Sequence, residues 1–201
     1  PPLSSGDPRR PGRADGSILA EVVAATVALD REETAEGVCS RLCKALVFAV
    51  GATACLVSRV AESYLVVEAR HSVRDVSLGE DAAYRIDDFP VTAETLRTGE
   101  PRAVSFVEGD VDPAEAFLLR EFGMNALLML ALRVEGEPWG LVELYEMRLR
   151  RFNKDEIAVA QFLTTHAERR LAVVGTRTPL RPWPRVYELP PEGGKRGPRT
   201  R

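Results

Sequence analysis

Apolar residues recur every three or four positions near the start of the chain. Ile18, Leu19, Val22, Ala25, Thr26 and Leu29 follow Ser17, and together they predict a capped helix. Asp30, with Glu33 three residues on, reads as a second helix start, and Val38, Leu42, Ala45, Leu46 and Ala49 hold one apolar face until Gly51 ends it. Beyond Gly51 the pattern changes. Residues 54–60 and 64–70, with Cys55, Val57, Leu65 and Val67, predict two strands joined by a turn around Ala61, Glu62 and Ser63. Residues 71–89 carry Gly79, Glu80, Asp81, Asp87 and Asp88 and read as a long polar segment. Pro90 opens a short helix that buries Val91 and Leu96 before Gly99, and 102–106 is a third strand. Asp112-Pro113 is a cap followed by proline at the first helical position, which predicts a helix through Phe117, Leu118 and Phe122 that stops at Gly123. Residues 125–134 and 139–146 form a hairpin whose first strand is apolar almost throughout, as a strand covered on both faces requires.

A final helix, 154–174, carries two apolar stripes. Ile157, Ala160, Thr164, Ala167, Leu171 and Val174 alternate at spacings of three and four, a heptad-like seam, while Val159, Phe162, Leu163 and Val173 mark a second face. The expectation is that one face packs on the sheet and the seam pairs with a second copy in a homodimer. A single broad core face on a monomer is the alternative.

Composition narrows the function class. Of 201 residues, 45% are hydrophobic, enough for one buried core in one domain. No apolar run approaches the ~18 residues of a membrane span, so no membrane partner is expected. With neither an initial Met nor a signal peptide, the chain reads as a fragment or trimmed product. Cys39, Cys43 and Cys55 lack metal-ligand spacing and suit a reducing, cytoplasmic setting. Proline and glycine at both ends set the domain at 15–174, with disordered tails at 1–14 and 175–201. Within the second tail, Pro182-Trp183-Pro184-Arg185-Val186-Tyr187 reads either as a docking peptide or as a linker whose aromatics fold back on the domain. The formal charge of -3 hides a division: residues 14–174 hold 17 Lys/Arg against 27 Asp/Glu, a net of -10, and the tail from Gly175 holds 7 against 2. An acidic body disfavours phosphate backbones, so the core is not expected to bind nucleic acid, and the basic tail reads as a solvated connector.

The order of elements, with Leu96-Arg97-Thr98-Gly99-Glu100-Pro101 and the pairing of Val134-Glu135-Gly136-Glu137-Pro138-Trp139-Gly140-Leu141 with Phe152-Asn153-Lys154-Asp155-Glu156, resembles a GAF domain over 15–174. The resemblance implies an α+β fold of GAF/PAS type. Its central antiparallel sheet would have five to six strands, with N- and C-terminal helices on one face and short helices and loops over a pocket on the other. It also implies a sensory or regulatory unit of a bacterial-type signalling protein. The end helices of such units relay to an output domain: a kinase, cyclase, phosphodiesterase or transcription regulator.

Specialised forms of the family are tested residue by residue. Bilin-binding members attach the chromophore through a cysteine commonly followed by histidine, and none of Cys39, Cys43 and Cys55 has a neighbouring His. Haem-binding members need an axial histidine in the pocket, whereas His71 lies near a strand end and His166 on the last helix. The expectation is therefore no bilin, haem or metal cofactor. In cyclic-nucleotide members Asn-Lys precedes a Phe, but here Asn153-Lys154 falls between Phe152 and Asp155-Glu156 and reads as a helix start. Members that reduce methionine sulfoxide use cysteines on pocket loops, and these three fall on a helix and a strand. With no phosphate loop or nucleophile elbow, and with Glu80-Asp81 and Asp87-Asp88 reading as solvated loop acids, a non-catalytic domain is expected. A sheet-face pocket would take apolar walls from Tyr64, Phe89, Phe106, Phe117, Met124 and Met129. Glu68, Arg102, Asn125, Glu143 and Tyr145 would be its polar contacts, strand alternation admitting only one parity. The alternative is that the aromatics fill a closed core, leaving a ligand-free scaffold for dimerisation or protein docking.

Overall fold

The structure is a computed structural model that describes residues 15–79, 82–176 and 185–187. Helices α1 (Asp15–Asp30) and α2 (Ala35–Leu46) come first, the second prolonged by a π-helical turn, Val47–Gly51. Strands β1 (Ala54–Ala61), β2 (Tyr64–Ser72) and β3 (Ala82–Arg85) precede α3 (Pro90–Thr98), β4 (Arg102–Ser105) and α4 (Pro113–Glu121). The hairpin β5 (Ala126–Val134) and β6 (Glu137–Glu146) leads into α5 (Lys154–Val174), and a short β7 (Arg185–Tyr187) follows. One sheet results, in the order β4-β5-β6-β1-β2-β3-β7. Its first six strands pair antiparallel; only β7 joins parallel, on β3 at the edge.

Local chemistry sets the element ends. Asp112 accepts from the Ala114 N–H with Pro113 next, as expected. Asn153 and Glu156 form a reciprocal capping box that starts α5. The second helix starts elsewhere than expected: Asp30 ends α1, and the Thr34 hydroxyl, accepting from the Gly37 N–H, caps α2. The β5–β6 turn puts Glu135 and Gly136 at φ 54° and 88°, the doubly left-handed conformation of a two-residue hairpin that glycine adopts freely.

Two cores flank the sheet. Behind it, α1, α2 and α5 bury Leu29, Leu42, Leu163 and Leu171 against Val57, Leu128 and Leu144. In front, Leu56, Leu127, Met129 and Leu141 meet Leu96 of α3 and Leu118 and Leu119 of α4. This is the expected α+β arrangement. Three expectations change in detail. The long segment 71–89 contains β3, a strand too short to show alternation. Arg185–Tyr187, read as tail, pairs in the sheet, while 1–14, 177–184 and 188–201 lie outside the described residues. On α5 the stripes are exchanged: Ala160, Thr164, Ala167 and Leu171 are buried in the domain's own core with Ile157 and Val174 packed against it, while Phe162 and Val173 are 54% and 73% exposed. Small Ala160 and Ala167 let the helix approach β5, so the seam faces inward.

Candidate functional site

Strand parity decides what faces the front. On β6, alternation sends Leu141, Glu143 and Tyr145 forward, and the register sets Glu143 between Leu56 of β1 and Met129 of β5, at the centre of the sheet. A cover formed by Leu78, Tyr84, Phe89, Leu118 and Phe122 closes over them. The enclosed cavity has a volume of about 20 Å³, room for a single water. Its floor is polar. Tyr145 Oη donates to Glu143 Oε1 at 2.8 Å, and the buried Ser58 hydroxyl is a second hydrogen-bond partner of the same carboxyl. Burial pushes the Glu143 carboxyl up to about 7, the hydrogen bonds of Tyr145 and Ser58 offsetting only part of that rise. Burial, and then the neighbouring Glu143, raises the Tyr145 phenol as well. A carboxyl so displaced, in an apolar hollow, marks a candidate binding site.

A second buried carboxyl ties the cover together. Phe89 cannot cap α3 with its side chain, and Glu115 of α4 does so instead: its Oε1 accepts from the Val91 and Thr92 N–H groups at 3.1 and 3.2 Å. Burial, then the adjacent Asp112, lifts Glu115 to about 7 against the pull of the Thr92 bond. Beside it the Thr92 hydroxyl contacts Met129 Sδ at 3.4 Å.

Of the residues expected in the pocket, Phe89, Glu143 and Tyr145 line the hollow. Met124 and Met129 fill the core around it, and Phe106 packs at its margin under the Arg120 guanidinium. Phe117 is half-buried on α4 and does not line the hollow. The others lie apart. Tyr64 has the opposite parity to Leu65, which faces the hollow. Glu68 sits where β2 bulges against β1 and pairs with Arg59 at 2.6 Å. Arg102 turns outward to Glu94 and Glu100, and the Asn125 amide donates to the Met147 carbonyl. Ser58, Leu56, Leu65 and Thr92 were missed. Cross-strand parity with Glu143 could have found Leu56; the loop-borne Leu78 had no periodic signal.

The three thiols belong to the back core. Burial pushes those of Cys39 and Cys55 well above the ordinary range. His166 contacts Asp30 at 2.9 Å, and His71 packs on Phe48.

The GAF domain family model matches residues 30–171. The chain belongs to the GAF domain family. No curated protein matches this GAF domain. Among solved structures it is similar to a bacteriophytochrome of the photosynthetic bacterium R. palustris, with TM-score 0.71 and 15% identity over 84% of this chain and 39% of that one. The phytochrome photosensory core module of Stigmatella aurantiaca gives TM-score 0.70 and 14% identity over 82% and 38%. A phycocyanobilin-bound GAF domain from a cyanobacterial phytochrome gives 0.68 and 15% over 78% and 94%. This GAF domain thus spans well under half of the first two proteins.

These neighbours overturn the exclusion of a bilin drawn from the sequence. That exclusion rested on the missing Cys-His pair, which bears on one mode of attachment; the fold is one that holds phycocyanobilin in another protein. Of the residues here, Glu143 and Tyr145 offer polar contacts in the hollow, and no described cysteine lines it. Anything larger than water also needs the cover to part.

Proposed function

We propose that this GAF domain is a non-catalytic sensory module that takes a small molecule into the front hollow and relays its presence through α1 and α5 of a homodimer to an output domain. One observation carries the reading: an ionisable carboxyl, held by two hydroxyls, at the centre of an apolar hollow under a cover of short helices. Apolar surface without such a floor needs no buried acid; a ligand bearing a hydrogen-bond donor does. The relay surface is the outer face of the end helices, where Leu19, Val23 and Val27 on α1 and Phe162 on α5 are exposed apolar residues. Helix length and apolarity give no membrane span among the described residues, and the free, buried thiols suit the cytoplasm.

The ligand class to test first is a linear tetrapyrrole held without a cysteine bond. Mixing the protein with phycocyanobilin should give a new visible absorption band that co-elutes with protein and weakens in Glu143→Gln. A metabolite screen by thermal shift extends the test, since a ligand at 100-fold its Kd adds about 2.7 kcal/mol to the folded state. A flat response to both sinks the sensor reading. The second reading, a ligand-free scaffold for dimerisation or docking, is favoured by the 20 Å³ volume of the hollow and then stands.

A further inference from the structure

A second concavity lies behind the sheet's β4 edge, between α5, β5 and the turn that follows α3. Its volume is about 300 Å³, equivalent to about ten water-sized groups, and its lining includes Thr98, Gln161, Thr164, Thr165 and Glu168. Two of these groups are out of place for a plain surface. Thr164 is 3% exposed, on the buried face of α5, and its Oγ1 has no hydrogen-bond partner. A buried hydroxyl in that state is costly, and its bare presence points to an absent partner. Glu168 is half-buried one turn further on. Its Oε1 accepts from the Arg133 N–H at 2.7 Å, a donor left out of the ladder by the irregularity between Leu132 and Arg133.

Local charge decides the kind of occupant. Arg133 is the nearby cation, and its guanidinium is committed to carbonyls: Nη1 donates to Gly136 and Nη2 to Leu96 and Arg97, closing the C-terminal end of α3. It balances the Glu168 charge but turns those donors away from a ligand. An anion would meet Glu168, and a cation would meet the Arg133 charge. A neutral molecule rich in hydroxyls meets donors and acceptors from threonine, glutamine and glutamate, with Leu130 and Pro101 against its C–H groups. We propose that this groove is a second small-molecule site, for a neutral polyhydroxyl compound of hexose size. Its occupant would touch Gln161, Thr164, Thr165 and Glu168 over two turns of α5, independently of the front hollow.

Polyols stabilise proteins generally by exclusion from their surfaces, so thermal shift cannot test this site. The test is an NMR titration of the 15N-labelled full chain with glucose and myo-inositol up to tens of millimolar. Saturable shifts confined to amides 98–101, 130–133 and 161–168 are expected, with 141–145 unmoved. Thr164→Val and Glu168→Gln should each weaken binding about tenfold, as expected when one buried hydrogen bond is lost. Thr164→Val should also keep the spectrum and thermal midpoint of the parent, since it deletes an unpartnered hydroxyl. Shifts that grow linearly without saturation, spread over the whole domain, or persist unchanged in both variants overturn the proposal.

Discussion

Glutamine at position 143 should make this domain more stable at high pH and erase part of its pH dependence. Glu143 is buried, and its carboxyl moves from an ordinary 4.5 to about 7 on folding. Between those values the folded chain keeps a proton that the unfolded chain releases. Stability therefore falls as pH rises through that window, and the contribution is gone above pH 7. The displacement corresponds to about 3 kcal/mol. Glu143→Gln keeps an acceptor for Tyr145 and for Ser58 but has no charge to desolvate. Neutral hydrogen bonds are weaker than charge-assisted ones by about 1 kcal/mol, so the net gain at pH 8 should be about 2 kcal/mol, against little difference at pH 4.5. Urea unfolding of both proteins at pH 4.5, 6 and 8, followed by tryptophan fluorescence, measures it. Glu115, displaced over the same window, leaves a similar slope in the variant, so its profile should flatten by about half without becoming level. Parallel profiles for the two proteins would refute the argument that Glu143 is charged at a desolvation cost.

Other outcomes follow from the packing. Burial alone would raise Glu146, but hydrogen bonds from Arg148 and Arg150 outweigh it and hold the carboxyl at about 2. Its stabilisation is thus present above pH 4.5 and lost as pH falls towards 2; Glu146→Gln should cost about 3 kcal/mol at pH 7 and nothing near pH 2, read by denaturant midpoints. A Cβ on Gly140 would lie 2.4 Å from the Ser58 carbonyl of the neighbouring strand, so Gly140→Ala should lose about 2 kcal/mol in a thermal melt. Val23→Glu and Phe162→Glu change exposed positions only; each should turn a dimer into a monomer in sedimentation while leaving the circular dichroism spectrum intact, and an unaltered mass removes the relay surface.

Elements governed by neighbours in sequence were the legible ones. Asp112-Pro113 and the Asn153 to Glu156 box act within one turn, so their meaning does not depend on what packs above them. Periodicity showed two stripes on α5 but not which meets the sheet; that choice rests on how closely Ala160 and Ala167 let the helix approach. In the hollow, Glu143 and Tyr145 were readable together because residues two apart on a strand share a face. Glu68 was misplaced because the bulge in β2 breaks that alternation. Leu78, Leu118 and Phe122 reach the hollow through the closure of loops and helices over the sheet, a long-range event without a sequence period.

The bond from Glu115 to the first amides of α3 bears on how anything gets in. Lifting α3 alone would strand a buried acid and two amide hydrogens at once, so α3 and α4 swing as one leaf. The wall carrying Leu78 and Tyr84 has no such stitch to Glu115 among the described residues. Passage into the interior is then a matter of that wall yielding while the stitched leaf stays shut.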